Sequence, residues 1–401
     1  MATLIERIKK RFLNVQTAWT GDPSFTSHLR GLATTAGPVV DTDNAMQLTT
    51  VYACVQRIAS TTAQMQLGIV RRESDGDLIT DPTHPAHLLI NERPADDVTA
   101  YEFWETIIIM MLIYGKGYAK IERTPNGRPV ALVLVNPKAV RVKEVGGVMM
   151  YEIKDDGIYF QRDMLCVFAP YRTSPIELHR ETLGLARAAQ QFAAEFFGNS
   201  GNMTGVLTPD QPMRKEQLDI VEESWNNSGK ALGTKVLPFG FKYSRIGVDP
   251  QAANLKDQRD FQNQEICRIF GVPPSLVGVQ SNTTYSNTEQ QAIQFAKYTI
   301  APLTRRLEQE INAKLIFDED RGRYAARYDM SDLLRGDTAA RASYYDTLTK
   351  AGILSINEAR KMEGLNSVDG GDVHTVQVNQ IALDRLGDYS DKISTDGTQQ
   401  A

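Results

Sequence analysis

Residues 271–287 (GVPPSLVGVQSNTTYSN) separate two strongly helical patterns and carry no charged side chain. Before this stretch, apolar residues three and four positions apart predict a helix over 255–270, which Gly271 and the prolines after it bring to an end. After it, the same spacing from Ala292 to Leu315 predicts the longest helix of the chain. A solvated linker normally carries charge and a catalytic loop carries a titratable group, so the stretch is typical of neither. Its composition favours an uncharged surface that contacts a partner without binding it tightly.

The charge and the cysteine pattern of this 401-residue chain exclude several classes of protein. The net charge of −5 lacks the basic excess of a protein that binds nucleic acid by neutralising phosphates. Cys54, Cys166 and Cys267 give neither a disulfide framework nor metal-ligand spacing, so a reducing compartment is expected. The apolar run 107–114 is far below the roughly 20 residues of a membrane span. The basic amphipathic segment 1–15 leaves two interpretations: an arm that docks on protein, which we favour, and an arm on an anionic membrane surface.

The remaining patterns mix short helices and short strands, which predicts an α+β fold. Residues 101–114 predict a buried helix that begins at a capping box, Thr99 with Glu102, and ends at Gly115. Short strands separated by Pro, Asn, Gly and Asp turns follow over 118–168 and predict an antiparallel sheet.

Two further helices enclose a small α/β insertion. The first opens at Ser174 and is predicted to bury one face, formed by Leu185, Ala189, Phe192, Ala193 and Phe196. Residues 199–248 then predict a strand, a helix and two more strands. The order predicts a helix pair that carries a small unit at one end and the uncharged loop at the other.

Pro302 falls inside the predicted long helix, where it would remove a backbone hydrogen bond and bend the axis. Two interpretations remain open: a fixed kink, which we favour, and a hinge. Further on, residues 338–350 predict a helix closed by Gly352, and Ser355 with Glu358 has the spacing of a second capping box.

Stretches spread over nearly the whole chain resemble the portal proteins of tailed double-stranded DNA bacteriophages, in the branch found with small lambdoid siphophages. They are VYACVQRIASTTAQM at 51–65, HPAHLLINERP at 84–94, YEFWETIIIMMLIYGKGYAKI at 101–121, SPIELHRETLGLARAAQQFAAEFF at 174–197, ICRIFGVPPSLVG at 266–278, TYSNTEQQAIQFAKYTIAPLTRRLEQEIN at 284–312 and LLRGDTAARASYYDTLTKAGILSINEARKMEGL at 333–365. Each alone is weak, but their order and spacing together are specific.

The resemblance implies a homo-oligomeric ring, a dodecamer, at one vertex of the capsid, with duplex DNA passing through its axis. Carried onto this sequence, it implies an N-terminal arm, partly disordered (1–45), a wing (46–175), a first stem helix (176–198), a clip (199–248), a second stem helix (249–270), a tunnel loop (271–287), a long wing helix with a return strand (288–331), a crown (332–368) and a tail expected to be disordered (369–401). The stem would surround the channel, and the tunnel loop would line its narrowest part.

The resemblance also implies roles for particular residues. Those expected at the DNA channel in the tunnel loop are Pro273, Pro274, Ser275, Leu276, Val277, Val279, Gln280, Ser281 and Asn282. Those expected in the stem are Arg187, Lys256, Arg259 and Arg268. Those expected to contact the packaging motor and the connector through the clip are Met213, Arg214, Glu216, Glu222 and Trp225.

The implied partners are double-stranded DNA, bound transiently and without sequence specificity, the terminase large subunit, a head–tail connector, and the major capsid and scaffold proteins. The implied location is the virion, after assembly in the host cytoplasm. No membrane, metal or cofactor is expected, and the energy for moving DNA would come from a separate ATPase.

The charges of the second stem segment agree with a channel that does not hold DNA. Lys256, Arg259 and Arg268 stand against four acids within 249–270, a local net charge of −1 (three positive minus four negative). Because each phosphate contact adds affinity, a conduit through which a genome slides needs few of them. We hypothesise that the side chains closest to DNA are Ser275, Leu276, Val277, Gln280, Ser281 and Asn282.

Other motifs give weaker evidence for a metal or catalytic site. His84 and His87 could form a metal pair, but Pro85 between them favours a helix start. Residues 318–320 are all acidic and could chelate a cation, although a solvated turn is favoured. The sequence has no phosphate-binding loop and no Gly-x-Ser-x-Gly elbow, so no catalytic residue is predicted. Two alternatives remain: an enzyme of the same particle, and a structural head or adaptor protein that forms a ring without translocating DNA.

Overall fold

The computed structural model describes residues 34–73, 78–198, 205–227, 240–245, 255–279, 285–330, 333, 338–363 and 365–375. It divides into two compact units, Met1–Met330 and Ser331–Ala401. Several predicted features lie outside the described residues, namely the arm before 34, the strand at 235–237 and the tail beyond 375.

The helices are α1 (Thr49–Ala63), α2 (Pro85–Asn91), α3 (Ala100–Tyr114), α4 (Pro175–Leu178), α5 (Arg180–Gly198), α6 (Lys215–Asn227), α7 (Leu255–Phe270), α8 (Tyr285–Phe295), α9 (Ala301–Lys314), α10 (Thr338–Lys350) and α11 (Ile356–Met362). The strands are β1 (Leu67–Arg72), β2 (Leu78–Thr80), β3 (Lys116–Arg123), β4 (Pro129–Val135), β5 (Val140–Val145), β6 (Val148–Ile153), β7 (Gly157–Phe160), β8 (Met164–Phe168), β9 (Gly205–Pro209), β10 (Phe241–Arg245) and β11 (Tyr324–Tyr328). The described strands form antiparallel sheets with the orders β11-β1-β2, β4-β3-β8, β5-β6-β7 and β10-β9.

Helix α3 is set by local signals at both ends, as predicted. The Thr99 hydroxyl accepts a hydrogen bond from the Glu102 amide at 3.3 Å, and the Glu102 carboxylate accepts one from the Thr99 amide at 3.2 Å. Gly115 ends the helix at φ +74°, and a Cβ there would lie 2.5 Å from the backbone nitrogen of Ser174. Only glycine fits both the left-handed backbone and this close approach.

The first core of the larger unit lies where α1 and α3 pack together. Val55, Phe103, Ile107 and Ile108 are all buried there. The Trp104 indole donates a hydrogen bond to the Ile90 carbonyl at 2.8 Å, which ties α3 to α2. This core supports the sheet β11-β1-β2, in which β1 pairs with a strand from the far end of the unit.

The single antiparallel sheet predicted over 118–168 is wrong in one respect, because its strands form two three-stranded sheets. The short 3₁₀ turn Pro137–Ala139 separates β4 from β5, which do not pair. Tyr118 and Met164 from one sheet and Tyr151 and Ile153 from the other form a shared buried cluster. The strand positions were therefore predictable from turn signals, whereas the pairing depended on this cluster.

The first stem helix also differs from its prediction. Continuous helix was expected from 176, but α4 ends at Leu178 and His179 has non-helical dihedral angles before α5 begins. The predicted buried face is confirmed at Ala193 but wrong at Leu185 and Phe192, which are exposed, whereas Leu183 is fully buried. Spacing identifies an apolar face but does not identify what covers it.

The long helix predicted around Pro302 contains a π-helical turn, Ala296–Ile300, between α8 and α9. The Ala301 amide bonds to the Ala296 carbonyl, five residues back. The backbone stays helical through this turn, since Phe295, Ile300 and Ala301 all have right-handed helical dihedral angles. Pro302 therefore lies inside the long helical run, as predicted, directly after the π turn, while a hinge role for Pro302 stays a prediction.

The smaller unit contains α10 and α11. The predicted capping box is confirmed, with the Ser355 amide bonded to the Glu358 carboxylate at 2.7 Å. Tyr345 of α10 donates a hydrogen bond to Glu363 at 2.6 Å, which joins the two helices. Asn357 is buried and bonds the backbone of Val368 through both its amide nitrogen and its oxygen, at 3.0 and 2.8 Å. The segment after α11 is thereby folded back onto that helix.

Candidate functional site

The uncharged stretch after α7 begins as an ordered turn. Gly271 ends α7 at φ +66°, and the Val272 amide bonds the Cys267 carbonyl at 2.9 Å, which confirms the predicted glycine stop. Residues Pro274–Val277 form a 3₁₀ turn that Gly278 closes at φ +76°. The first half of the stretch is therefore a compact structure with its own hydrogen bonds.

Three side chains from distant elements anchor this turn. The Arg57 guanidinium of α1 donates to the Leu276 carbonyl at 3.2 Å. Thr299 of the π turn donates to the Gly271 carbonyl at 2.6 Å, and the Ser275 hydroxyl donates to Gln291 of α8 at 2.5 Å. The sequence analysis did not identify Arg57, Gln291 or Thr299, because no local pattern marks these bonds, which join residues 219, 16 and 28 positions apart.

Helix α7, which precedes the turn, packs against α1. Cys54 and Cys267 are both buried there, and Thr50 donates a hydrogen bond to Asn263 at 2.7 Å. A hydrogen bond with Cys267, together with burial, raises the pKa of the Cys54 thiol above its usual value. Cys54 therefore stays a neutral packing group that fixes α7 on the wing.

The predicted tunnel-loop residues are described as far as Val279. Among the described ones the half-buried residues are Pro273, Pro274, Ser275, Leu276, Val277 and Val279. Gln280, Ser281 and Asn282 lie outside the described residues. The 3₁₀ turn Pro274–Val277 packs against α1, and Arg57 of that helix bonds the Leu276 carbonyl.

The predicted stem cations do not form a continuous basic surface. On α7, Lys256 and Arg259 are exposed and alternate with the exposed Asp257 and Asp260. Arg268 pairs with Glu265 on the same helix. On α5, Arg187 donates to the Gln47 side chain at 3.4 Å, so it serves a contact within the chain. In the described part of the stem, positive charge is balanced along the helix rather than concentrated.

Apolar side chains of the stem point outward instead. Leu185 and Phe192 of α5 are 49% and 45% exposed, and Phe261 of α7 is 57% exposed. Leu185 and Phe192 stand seven residues apart, which places them on one side of the helix. Water is an unfavourable environment for such a stripe, so a partner surface is expected to cover it.

The described part of the clip is a pair of antiparallel strands, β9 and β10, and the helix α6. The predicted contact residues Met213, Arg214, Glu216 and Glu222 are all exposed. Ile220 of the same helix is also exposed. The Trp225 side chain lies outside the described atoms. The clip therefore presents apolar and acidic side chains together.

The histidine pair serves the local structure. His84 begins α2, with its Nδ1 accepting a hydrogen bond from the Ala86 amide at 3.1 Å, and its Nε2 lies 3.6 Å from the Asp320 carboxylate. His87 Nδ1 lies 3.5 Å from the Ile69 amide. The described residues contain no cluster of three or more His, Cys, Asp or Glu placed to hold a metal ion. Across the same described part of the chain, no helix is long and apolar enough to span a membrane.

The described residues thus combine a helix pair, a small α/β unit, an anchored loop and outward apolar side chains. The sequence model described as Phage portal protein matches residues 49–364. The portal protein of Enterobacteria phage HK97 is 31% identical over 363 residues, with 87% of this chain and 86% of that protein covered. The chain therefore belongs to the phage portal protein family, whose members form the ring for DNA packaging at the capsid vertex.

Two solved structures share the fold. One is an HK97 family phage portal protein from Corynebacterium diphtheriae, with a TM-score of 0.59, 13% identity, and coverage of 74% of this chain and 98% of that one. The other is a chain in the neck of an empty GTA particle, with a TM-score of 0.57, 21% identity, and coverage of 83% and 95%. Both agree with the α+β portal fold predicted from the sequence.

Proposed function

We propose that the ring, a dodecamer, closes through the outward apolar stripe of α5. The observation that carries this proposal is the exposure of Leu185 and Phe192 on a helix whose opposite side buries Leu183 within the chain. Ala189 lies between the two exposed residues and lets a neighbouring helix approach closely. A second copy of the chain covers the stripe, which removes apolar surface from water.

Double-stranded DNA passes along the axis of this ring and meets uncharged side chains. Support comes from the stretch after α7, which has no charge from 271 to 287, and from the balanced charges of α7 itself. The half-buried turn formed by Ser275, Leu276 and Val277 holds the base of the loop at the channel. Gln280, Ser281 and Asn282 approach the DNA, and sequence-independent sliding follows because few phosphates are contacted.

The terminase large subunit and then the head–tail connector dock on the clip. The exposed Met213 and Ile220 supply apolar contact there, and Glu216 and Glu222 supply charge. Major capsid and scaffold proteins meet the wing during assembly in the host cytoplasm, and a separate ATPase supplies the energy for moving DNA.

Ring closure is tested with the purified chain and Phe192→Glu. Wild type is expected to give a high-mass species by light scattering and end-on images with an axial hole, whereas Phe192→Glu is expected to give monomers with an unchanged circular dichroism spectrum. Gln191→Glu is the matched control, because it adds the same charge to an exposed neighbouring position outside the stripe. If Phe192→Glu forms rings as stable as those of the wild type, the proposal that the ring closes through α5 is wrong.

The channel role is tested with Asn282→Asp and Asn282→Lys in a packaging assay. Asn282→Lys is expected to slow translocation, because a cation on every copy binds phosphates. The slowing is expected to decrease as the salt concentration rises. Asn282→Asp has nearly the same side-chain size but adds an anion. It is expected to change the translocation rate without the salt-dependent binding to phosphates. If Asn282→Lys packages full genomes at the wild-type rate at low salt, residue 282 does not approach the DNA. Leu276→Asp is a poorer probe because Leu276 is half-buried and its carbonyl is an anchor.

A further inference from the structure

Two adjoining cavities open on the wing, away from the uncharged loop. The first, about 960 Å³, lies between the β3–β4 hairpin and the end of α9. The second, about 500 Å³, extends it past Phe160 and Val148. They share Arg162, Ala313 and Lys314. These two cavities together are named the wing groove.

Half-buried polar contacts hold the walls of the wing groove in place. The Arg123 guanidinium pairs with Asp163 at 3.1 Å and donates to the carbonyls of Gly127 at 3.0 Å and Lys314 at 2.8 Å. Lys314 in turn donates to the Met164 carbonyl at 3.0 Å. One arginine therefore joins the hairpin, the segment after β7 and the end of α9. A partner that enters the wing groove meets a preformed surface and spends little free energy on ordering it.

The first cavity is predominantly basic. Its lining includes five cationic side chains and two acidic ones, Glu122 and Asp163. Asp163 pairs with Arg123 at 3.1 Å and also lies 3.6 Å from the Arg162 guanidinium, whose side chain is nevertheless 81% exposed. Arg162 therefore presents positive charge at the rim of the wing groove.

The second cavity is bordered by exposed apolar side chains. Phe160 of β7 and Val148 of β6 line it, and both are exposed. The Arg162 guanidinium lies 5.7 Å from the centroid of the Phe160 ring, within cation–π range. An apolar wall therefore stands directly beside the exposed cation.

We infer that the wing groove binds a polypeptide segment of a partner protein in which an apolar side chain is flanked by carboxylates. The apolar side chain packs on Phe160 and Val148, and a flanking carboxylate faces Arg162 at the rim. DNA is disfavoured as the occupant because phosphates gain nothing from the apolar wall. The inference rests on this part of the wing and is independent of ring closure and of the DNA channel.

The test uses the purified full chain and a library of displayed random peptides. Peptides selected on wild type are expected to combine Asp or Glu with a central Leu, Phe or Trp. The peptide most enriched in that selection is then synthesised with a fluorescent label and titrated by polarisation. Phe160→Ser and Arg162→Glu are each expected to weaken its binding about tenfold or more, as for the central residues of an interface.

Two matched variants control for the chemistry of the changes. Ile158→Ser and Arg141→Glu alter exposed residues of the same sheet that line neither cavity, and each is expected to change binding by less than about twofold. Thermal melts of all four variants confirm that the sheet stays folded. Selected peptides without the acidic–apolar pattern, or equal binding to Arg162→Glu and Arg141→Glu, would overturn the inference. A labelled short DNA duplex whose binding falls only in Arg162→Glu would assign the groove to nucleic acid instead.

Discussion

Helices α3 and α5 both carry apolar residues at helical spacing, yet they meet different surroundings. Phe103, Ile107 and Ile108 of α3 are buried within one chain, whereas Leu185 and Phe192 of α5 remain about half exposed. The wing therefore contains the partners for its own apolar surface. Helix α5 leaves part of its apolar surface uncovered within one chain, and this is the surface that we propose a second copy covers.

The largest expected effect is that of Phe103→Ala on the wing. Removing this buried ring is expected to lower the free energy of unfolding by about 3–5 kcal/mol, because it creates a cavity in a packed core. The matched change in the stem, Phe192→Ala, is expected to cost the monomer less than about 0.5 kcal/mol. Urea unfolding at low protein concentration measures both. Equal losses would mean that α5 already buries Phe192 within one chain.

A smaller effect is expected at the junction between wing and loop. Gly271→Ala places a side chain at φ +66° and a Cβ 2.9 Å from the Thr299 hydroxyl. We expect a loss of about 1–2 kcal/mol in unfolding free energy from the strained backbone and the displaced hydrogen bond. Gly278→Ala is the control: its φ of +76° gives the same strain, but nothing lies near its Cβ, so it separates strain from contact. Identical losses in the two variants would show that the Thr299 contact contributes nothing.

The smallest effect is expected at the cap of α3. Thr99→Ala removes the side chain that begins this helix and is expected to cost about 1 kcal/mol, measured by thermal unfolding at neutral pH. Ring assembly of this variant should be unchanged, because the cap lies in the part of the molecule that folds within one chain.

The cap also has a predictable pH dependence. Hydrogen bonds from the Thr99 amide and hydroxyl lower the pKa of Glu102. A lowered carboxyl pKa gives stability that is present above the unfolded-state pKa and is lost as the pH falls through the folded-state pKa. The difference between wild type and Thr99→Ala should therefore shrink in acid. A difference that stays constant down to acid pH would contradict the role of Glu102 in the cap.

The elements that the sequence predicts well are those with local causes. The bounds of α7, the capping boxes at Thr99 and Ser355 and the glycine stops depend on residues within a few positions of each other. A charge-free stretch after α7 is likewise visible in the sequence alone. Such features need no knowledge of the tertiary structure.

The features that the sequence misses depend on contacts between distant residues. The bond from Arg57 to the Leu276 carbonyl joins positions 219 residues apart, and no spacing marks it. In the π turn before Pro302, an amide bonds the carbonyl five residues back instead of four, although the helical pattern of the sequence is unbroken. The cations of the wing groove come from three separate segments, so they have no common motif. Periodicity also predicted a buried face for α5 because the pattern is the same whether the cover comes from the same chain or from a second copy.

The most direct measurement is an electron cryo-microscopy map of the assembled ring at side-chain resolution. The account predicts that Leu185 and Phe192 contact the neighbouring copy and that the residues after Gly278 face the central hole. Density that leaves both side chains in solvent, with a different surface between the copies, would contradict it.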